Sequence, residues 1–395
     1  MLTQRQLFLQ HNAQTTLEPL LLEFVKASGI YLYDAEGKKY MDLIAGIGVS
    51  NVGHCHPDVV EAVKKQAELY MHIMVYGEFV QSPQVDFAKA LADILPPNLN
   101  CTYFVNSGSE AVEGAMKLAK RYTERTEFIA CQHSYHGSTQ GALSLMGNEE
   151  FKQAYRPLLP HVHFIKFNKQ SDLEKITTKT AAVFVETVQG EAGIRIGDPE
   201  YFKALRARCT ETGTLLVLDE IQCGFGRTGK MFGFEHYDIT PDILMLAKGI
   251  GGGMPIGAFI SSTEIMLSLA TNPILGHITT FGGHPVSCAA GLATLRTIVK
   301  ENIVKGVTEK GELFKKLLVH PKIHAVRGKG LMLAVEFDSF ETNKKIIDGC
   351  IADGFISDWF LHCSKSMRIA PPLIITASEI EEACEVILKN VDKFA

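Results

Sequence analysis

Between about residue 57 and residue 290, short apolar runs alternate with amphipathic stretches, and each run has the length of a strand buried on both faces. Residues 102–105, 161–167, 181–185, 215–218, 243–247 and 258–260 are the predicted strands. From Glu110 to Arg121, apolar residues recur at three- and four-residue spacing. Val112, Ala115, Met116 and Ala119 fall on one face, which predicts a helix. Strand–helix alternation of this kind predicts an α/β fold built on a mostly parallel sheet with helices on both faces. Earlier in the chain, apolar and aromatic positions flank the turn Asp34-Ala-Glu-Gly37, the pattern of a hairpin. After Ala290 the pattern changes to a long helix over 291–300 and beyond, Glu- and Lys-rich helices, and strands near 331–337 and 367–369. The expected division is an N-terminal segment (1–56) that joins the smaller domain, a large α/β domain (57–290) and a small α+β C-terminal domain (291–395).

Composition narrows the class. The chain has 395 residues, 46% hydrophobic and 21% charged, which excludes a mini-protein and wholesale disorder. Lys plus Arg total 39 against 44 Asp plus Glu, so no charge excess draws the molecule to nucleic acid or anionic lipid. No apolar run approaches the roughly 18 residues of a membrane helix. The N-terminus has no sustained apolar region ahead of a small-residue cleavage site, so the expected location is the cytoplasm. Nine Cys, an odd number without a CxxC pair, are expected to be free thiols.

Three places carry candidate chemistry. In Val105-Asn-Ser-Gly-Ser-Glu-Ala-Val a strand runs into a helix through small residues. Ser107 and Glu110 fit a capping box that needs no ligand, while the helix N-terminus and Gly108 also suit a phosphate. Asp219 leaves the end of an apolar strand, where an unpaired carboxylate is costly and a fixed cationic partner would account for it. Lys248 likewise follows an apolar strand and precedes a glycine cluster. Desolvation there favours a neutral, nucleophilic amine able to form a Schiff base. Gly224-Phe-Gly-Arg-Thr-Gly-Lys230 fits a P-loop spacing, but Met231 stands where a magnesium-binding hydroxyl is required. His54-Cys-His56 and His161-Val-His163 lack the wider ligand set of a zinc site, so no metal is expected. A phosphate anchor, a strand-end carboxylate and a strand-end lysine together are the parts that hold pyridoxal 5′-phosphate.

The chain resembles the class III aminotransferases of pyridoxal-phosphate fold type I, the acetylornithine, ornithine and 4-aminobutyrate aminotransferase group. The likeness rests on Gly29-Ile-Tyr-Leu-Tyr-Asp-Ala-Glu-Gly-Lys, Gly53-His-Cys-His-Pro, Asn106-Ser-Gly-Ser-Glu-Ala, Tyr135-His-Gly, Val185-Glu-Thr-Val-Gln-Gly-Glu-Ala-Gly, Leu218-Asp-Glu-Ile-Gln, Ala247-Lys-Gly, Thr279-Thr-Phe-Gly-Gly-His-Pro and Arg368-Ile-Ala-Pro-Pro-Leu. The resemblance implies a seven-stranded, mostly parallel sheet in the large, cofactor-binding domain. It implies Lys248 as Schiff-base lysine and proton shuttle, Asp219 on the pyridine nitrogen, and Gly108 and Ser109 on the phosphate. Tyr135 would stack on the ring and Gln222 would lie near its phenolic oxygen. Thr280 would serve the neighbouring subunit's phosphate, which implies a homodimer with shared sites.

Glu191 and Arg368 resemble a switching pair in which the Glu neutralises the Arg until an α-carboxylate binds; Thr279 and Ile47 belong to the implied substrate-binding set. In one place the chain departs from the family. Ser138 follows Tyr135-His-Gly137 where an Arg usually grips the substrate's distal carboxylate, and His136, Lys329 and Lys365 are the candidate replacement cations. Ile47 stands where ornithine aminotransferases proper tend to have Tyr. The expected activity moves an amino group from an ω-amino donor, acetylornithine- or ornithine-like, to a 2-oxo acid such as 2-oxoglutarate. The alternatives are another class III transamination, with 4-aminobutyrate, a diamine or a β-amino acid and possibly pyruvate as acceptor, or a non-catalytic cofactor-binding protein.

Overall fold

In the computed structural model, which describes residues 2–395, the apolar runs close into one seven-stranded sheet. Met1, the first residue of the expected N-terminal segment, lies outside the described residues. From edge to edge the strands are Cys101–Val105, Gly257–Ser261, Ile243–Ala247, Leu215–Asp219, Thr180–Glu186, Glu127–Cys131 and Val162–Ile165. Gly257–Ser261 runs antiparallel to both of its neighbours, and the other pairings are parallel. Every residue of Leu215–Asp219, Ile243–Ala247 and Thr180–Glu186 is buried, as strands covered on both faces require. Glu127–Cys131 is a strand that the pattern of apolar runs did not single out.

The helix Gly108–Thr123 covers one face of this sheet through Ala111, Val112, Gly114, Ala115, Met116, Leu118 and Ala119. It ends at Glu124 in a left-handed conformation, with Lys120 and Arg121 in the last turn complementing the dipole. The helix of the expected stretch 291–300 starts earlier, at Pro285, whose fixed φ suits a first helical position. Pro285–Lys300 packs against Pro57–Leu69 and Ser82–Ile94 and runs through the position of the expected boundary at 290.

The hairpin forms as expected, Tyr31–Asp34 against Lys39–Asp42. Asp34 Oδ1 accepts from the Glu36 and Lys38 amides at 3.1 and 2.7 Å, and Gly37 takes the φ of 84° that closes the turn. Phe355–Ile356 adds to this sheet in parallel with Lys39–Asp42, so the N-terminal segment is hydrogen-bonded to the C-terminal part of the chain. An antiparallel sheet orders Ala325–Lys329, Met332–Glu336, Cys363–Ile369 and Trp359–Phe360, with Phe340–Ala352 packed on it and Ala377–Phe394 packed on that helix in turn. No described helix is long and apolar enough to cross a membrane.

Candidate active site

Leu215–Asp219 and Ile243–Ala247 lie side by side and parallel, so Asp219 and Lys248 emerge together at the carboxyl edge, where open α/β sheets take ligands. A cavity of about 400 Å³ opens there. Gly108, Ser109, Tyr135, Glu191, Asp219, Gln222 and Lys248, scattered over more than a hundred residues, all line it.

One wall is the start of the helix Gly108–Thr123. Ser107 Oγ accepts from the Glu110 amide at 3.2 Å. The Glu110 carboxylate turns instead to Asn106, accepting from its backbone N at 2.8 Å and its Nδ2 at 2.9 Å, so the reciprocal half of the capping box is not made. The cap and the anion-ready N-terminus therefore coexist, and the positive end of the helix faces the cavity. A Cβ at Gly108 would stand 2.9 Å from Ile221 Cδ1, so glycine keeps this cradle open.

Asp219 is 4% exposed. Its Oδ1 accepts from the Ile221 amide at 2.9 Å, and its Oδ2 lies 2.8 Å from His136 Nδ1. Burial works to lower the His136 pKa, but the Asp219 hydrogen bond and charge, with Glu186 beyond, outweigh it and raise the pKa, so Nδ1 donates to the carboxylate. This removes His136 as a replacement for the missing arginine. Lys365 is also committed, 2.6 Å from Glu336, and neither it nor Lys329 lines the cavity. Glu186, buried beside this pair, accepts from the Tyr135 and Gly190 amides, and burial pushes its carboxyl up to about 7.

Lys248 follows its strand with φ of 50°, a left-handed conformation costing a non-glycine residue roughly 1 kcal/mol and common at functional sites. Burial pulls its ammonium pKa down, against the opposing pull of Glu191 and Asp219. Arg368 does not itself line the cavity; it lies behind Glu191, to whose Oε1 and Oε2 its Nη1 and Nη2 donate, both at 3.0 Å. Its Nε donates to Asp358 Oδ1 at 2.8 Å, and its guanidinium sits 4.4 Å over the Phe360 ring. Burial of Glu191 works to raise its pKa, but the arginine's charge and hydrogen bonds hold it below the ordinary value.

The remaining candidates lie outside the cavity wall. Ser138 is exposed, its Oγ 3.2 Å from the Tyr135 hydroxyl and its amide 3.3 Å from Ser109 Oγ. Thr279 Oγ1 takes the Asn106 Nδ2 at 3.4 Å. Ile47 is 37% exposed with φ of 64°, and Thr280 is exposed on the segment leading to Pro285. Sequence reasoning missed Asp358, the binding of His136 to Asp219, and Phe360. Asp358 had no local signal, since its meaning depends on which strand lies beside it.

The donor set fits pyridoxal phosphate. A helix N-terminus with a glycine cradle suits the phosphate, a buried carboxylate backed by a histidine suits a protonated ring nitrogen, an aromatic side chain lies between, and a desolvated amine suits the aldehyde.

A family model described as aminotransferase class-III matches residues 13–391. The acetylornithine aminotransferase of Methanopyrus kandleri is 42% identical over 364 residues, 91% of this chain and 91% of the relative. That of Caldanaerobacter subterraneus subsp. tengcongensis is 39% identical over 381 residues, 93% of this chain and 94% of the relative. Among solved structures, the ornithine aminotransferase of Toxoplasma gondii, crystallised with partial pyridoxal-phosphate occupancy, superposes with a TM-score of 0.91 at 29% identity, covering 98% and 93% of the two chains. The adenosylmethionine-8-amino-7-oxononanoate aminotransferase of Methanocaldococcus jannaschii gives 0.92 at 28% identity over 99% and 98%.

Proposed function

The chain belongs to the class-III aminotransferases, pyridoxal-phosphate-dependent enzymes of fold type I, and from that premise we propose that it transfers the ω-amino group of N-acetylornithine to 2-oxoglutarate. Transamination from an ω-amino donor to a 2-oxo acid is the activity of the enzyme; the particular pair is supported by the names of the relatives near 40% identity. The observation that carries the assignment to these residues is the meeting of the helix N-terminus, Asp219 and Lys248 around one cavity.

When bound, the cofactor supplies an electron sink for the carbon bearing the reacting amine. The amides at Gly108 and Ser109 would bind its phosphate and Asp219 would hold a proton on the ring nitrogen, while His136 Nδ1 orients Asp219. Tyr135 and Gln222 also line the cavity and would hold the cofactor's ring, the first by its aromatic face and the second by its amide. Lys248 Nζ, kept in reach of neutrality by burial, attaches the cofactor and then moves the proton at the substrate's amino-bearing carbon. Glu191 holds Arg368 until an α-carboxylate takes its place.

A second reading is favoured by Ser138. Among the described residues lining the cavity, Lys248 is the sole lysine or arginine, Arg368 being covered by Glu191, and Ser138 offers a hydroxyl rather than a guanidinium to a distal carboxylate. Pyruvate as acceptor, with a 4-aminobutyrate, diamine or β-amino-acid donor, meets that arrangement.

The enzyme acts as a homodimer. Supporting this are Leu69, Met71, Val80, Ile274 and Phe281, large apolar side chains on the surface, with Val80 93% exposed; the His72 ring joins their two segments, 4.8 Å from Phe281. Thr280 lies in this patch and would reach the partner's phosphate. The division at residues 56 and 290 and a cytoplasmic location belong to the same reading, the latter supported by nine free cysteines.

The visible spectrum of the purified holoenzyme tests it. Glutamate and N-acetylornithine each convert the visible cofactor band to the amine form. If alanine converts it and glutamate does not, the second reading holds, and if no amino donor moves the band, both fail.

A further inference from the structure

We propose that Asp358 is a positioning residue for substrate carboxylates: it pins Arg368 by Nε, so that only the Nη1–Nη2 edge changes hands between Glu191 and an incoming α-carboxylate. The proposal rests on the reading of Arg368 as the carboxylate-binding group.

Arg368 is 3% exposed and meets two carboxylates, Glu191 on its terminal edge and Asp358 on Nε. One carboxylate would neutralise it. A second, itself largely buried, adds a charge whose desolvation needs a return elsewhere. The two differ in how they are held. The Arg368 amide donates to the Asp358 carbonyl at 2.9 Å and Ser357 Oγ donates to the Arg368 carbonyl at 2.7 Å, so Asp358 rides on the same backbone ladder as the arginine. The register of that ladder slips between Trp359 and Phe360, immediately after Asp358. Glu191 follows the two-residue strand Val188–Gln189 and reaches the hairpin from outside, its Oε2 accepting from the Leu361 amide and its carbonyl from the His362 amide, both at 3.0 Å in the turn that joins Trp359–Phe360 to Cys363–Ile369. The arginine thus has a fixed partner at Nε, a fixed ring beneath it in Phe360, and a partner on a separate segment at its fork. A guanidinium gripped at one edge keeps its plane when the other edge is vacated, and bidentate recognition depends on that plane.

The test uses the holoenzyme and two variants. Asp358→Asn keeps an oxygen for Nε in a side chain of the same shape, whereas Asp358→Ala removes it. Asp358→Ala is expected to raise the KM for 2-oxo acid and weaken binding of glutarate, an unreactive dicarboxylate, by about tenfold or more, with kcat within about twofold; Asp358→Asn recovers most of the loss. The rate at which hydroxylamine, which carries no carboxylate, discharges the cofactor band is expected to be equal in all three proteins. Equal glutarate affinity in all three, absence of glutarate binding to the wild type, or a hydroxylamine rate that falls in step with the KM change would overturn the proposal. Failure of the functional reading is distinguishable: no amino donor would move the wild-type band, while the glutarate series still reports on Asp358.

Discussion

The role proposed for Lys248 rests on where a strand deposits it, with burial disfavouring its ammonium form at the edge of a cavity that Asp219 also lines. Lys248→Ala is expected to keep the fold and lower turnover by about a thousandfold or more, since general acid–base transfer alone contributes up to roughly 10⁴-fold; near-normal single-turnover rates would remove the residue from its role. Glu220, next to Asp219, is buried and accepts from the Gly233 and Phe234 amides at 2.8 Å each, yet burial pushes its carboxyl from 4.5 to about 7. The unfolded chain then loses that proton at a lower pH than the folded one, so stability falls as pH rises from about 4.5 to 7, by roughly 3 kcal/mol from this group. Glu220→Gln should flatten that slope in urea unfolding at pH 5 and pH 7, and an unchanged slope would mean the carboxyl ionises normally. Asp219 and Lys248 were legible in the sequence because each follows its own apolar strand. His136 and Asp358 were not, because a histidine facing a carboxylate 83 residues away, and an aspartate meeting an arginine across a slipped ladder, are products of pairing rather than of local pattern.

At the scale of the element, the helix Gly108–Thr123 must both present its N-terminus to the cavity and lie close on the sheet. Gly114 permits the second, since a Cβ there would stand 2.2 Å from Phe259 Cε1. Phe259 is fully buried in the strand Gly257–Ser261, so it has little room to yield. Gly114→Ala is expected to destabilise the protein by about 1–3 kcal/mol, read as an earlier thermal transition, and to loosen cofactor retention with it. An unshifted transition would show that the ring can move aside. The periodic helix and the wholly apolar strands could be read directly, because burial on both faces leaves no polar residue to blur them. Glu127–Cys131, no shorter than most of the strands that were read, begins with a charged residue just beyond a helix end at Glu124, which leaves its apolar run only four residues long. The start of Pro285–Lys300 was set late because Pro285 through Ala290 reads as a loop signal until the proline is placed at a first helical position.

For the whole molecule, the exposed apolar segments around Val80 and Phe281 are the surface on which the proposed dimer rests. If the proposed dimer forms through this patch, Val80→Asp is expected to shift sedimentation from two chains to one, and to lower turnover about tenfold through loss of the proposed Thr280 contact. A wild-type chain that already sediments singly would contradict the dimer. The pairing of Lys39–Asp42 with Phe355–Ile356 bears on how the enzyme is made. These partners are separated by roughly 300 residues of chain, which a ribosome takes about 15–60 seconds to add. Throughout that interval the hairpin emerges with one edge unpaired, so the nascent protein carries an open β-edge that no local folding can close. Protection by a chaperone, or the speed of synthesis itself, would then set the yield of enzyme, and slowing translation downstream of the hairpin would lower it without changing a single residue.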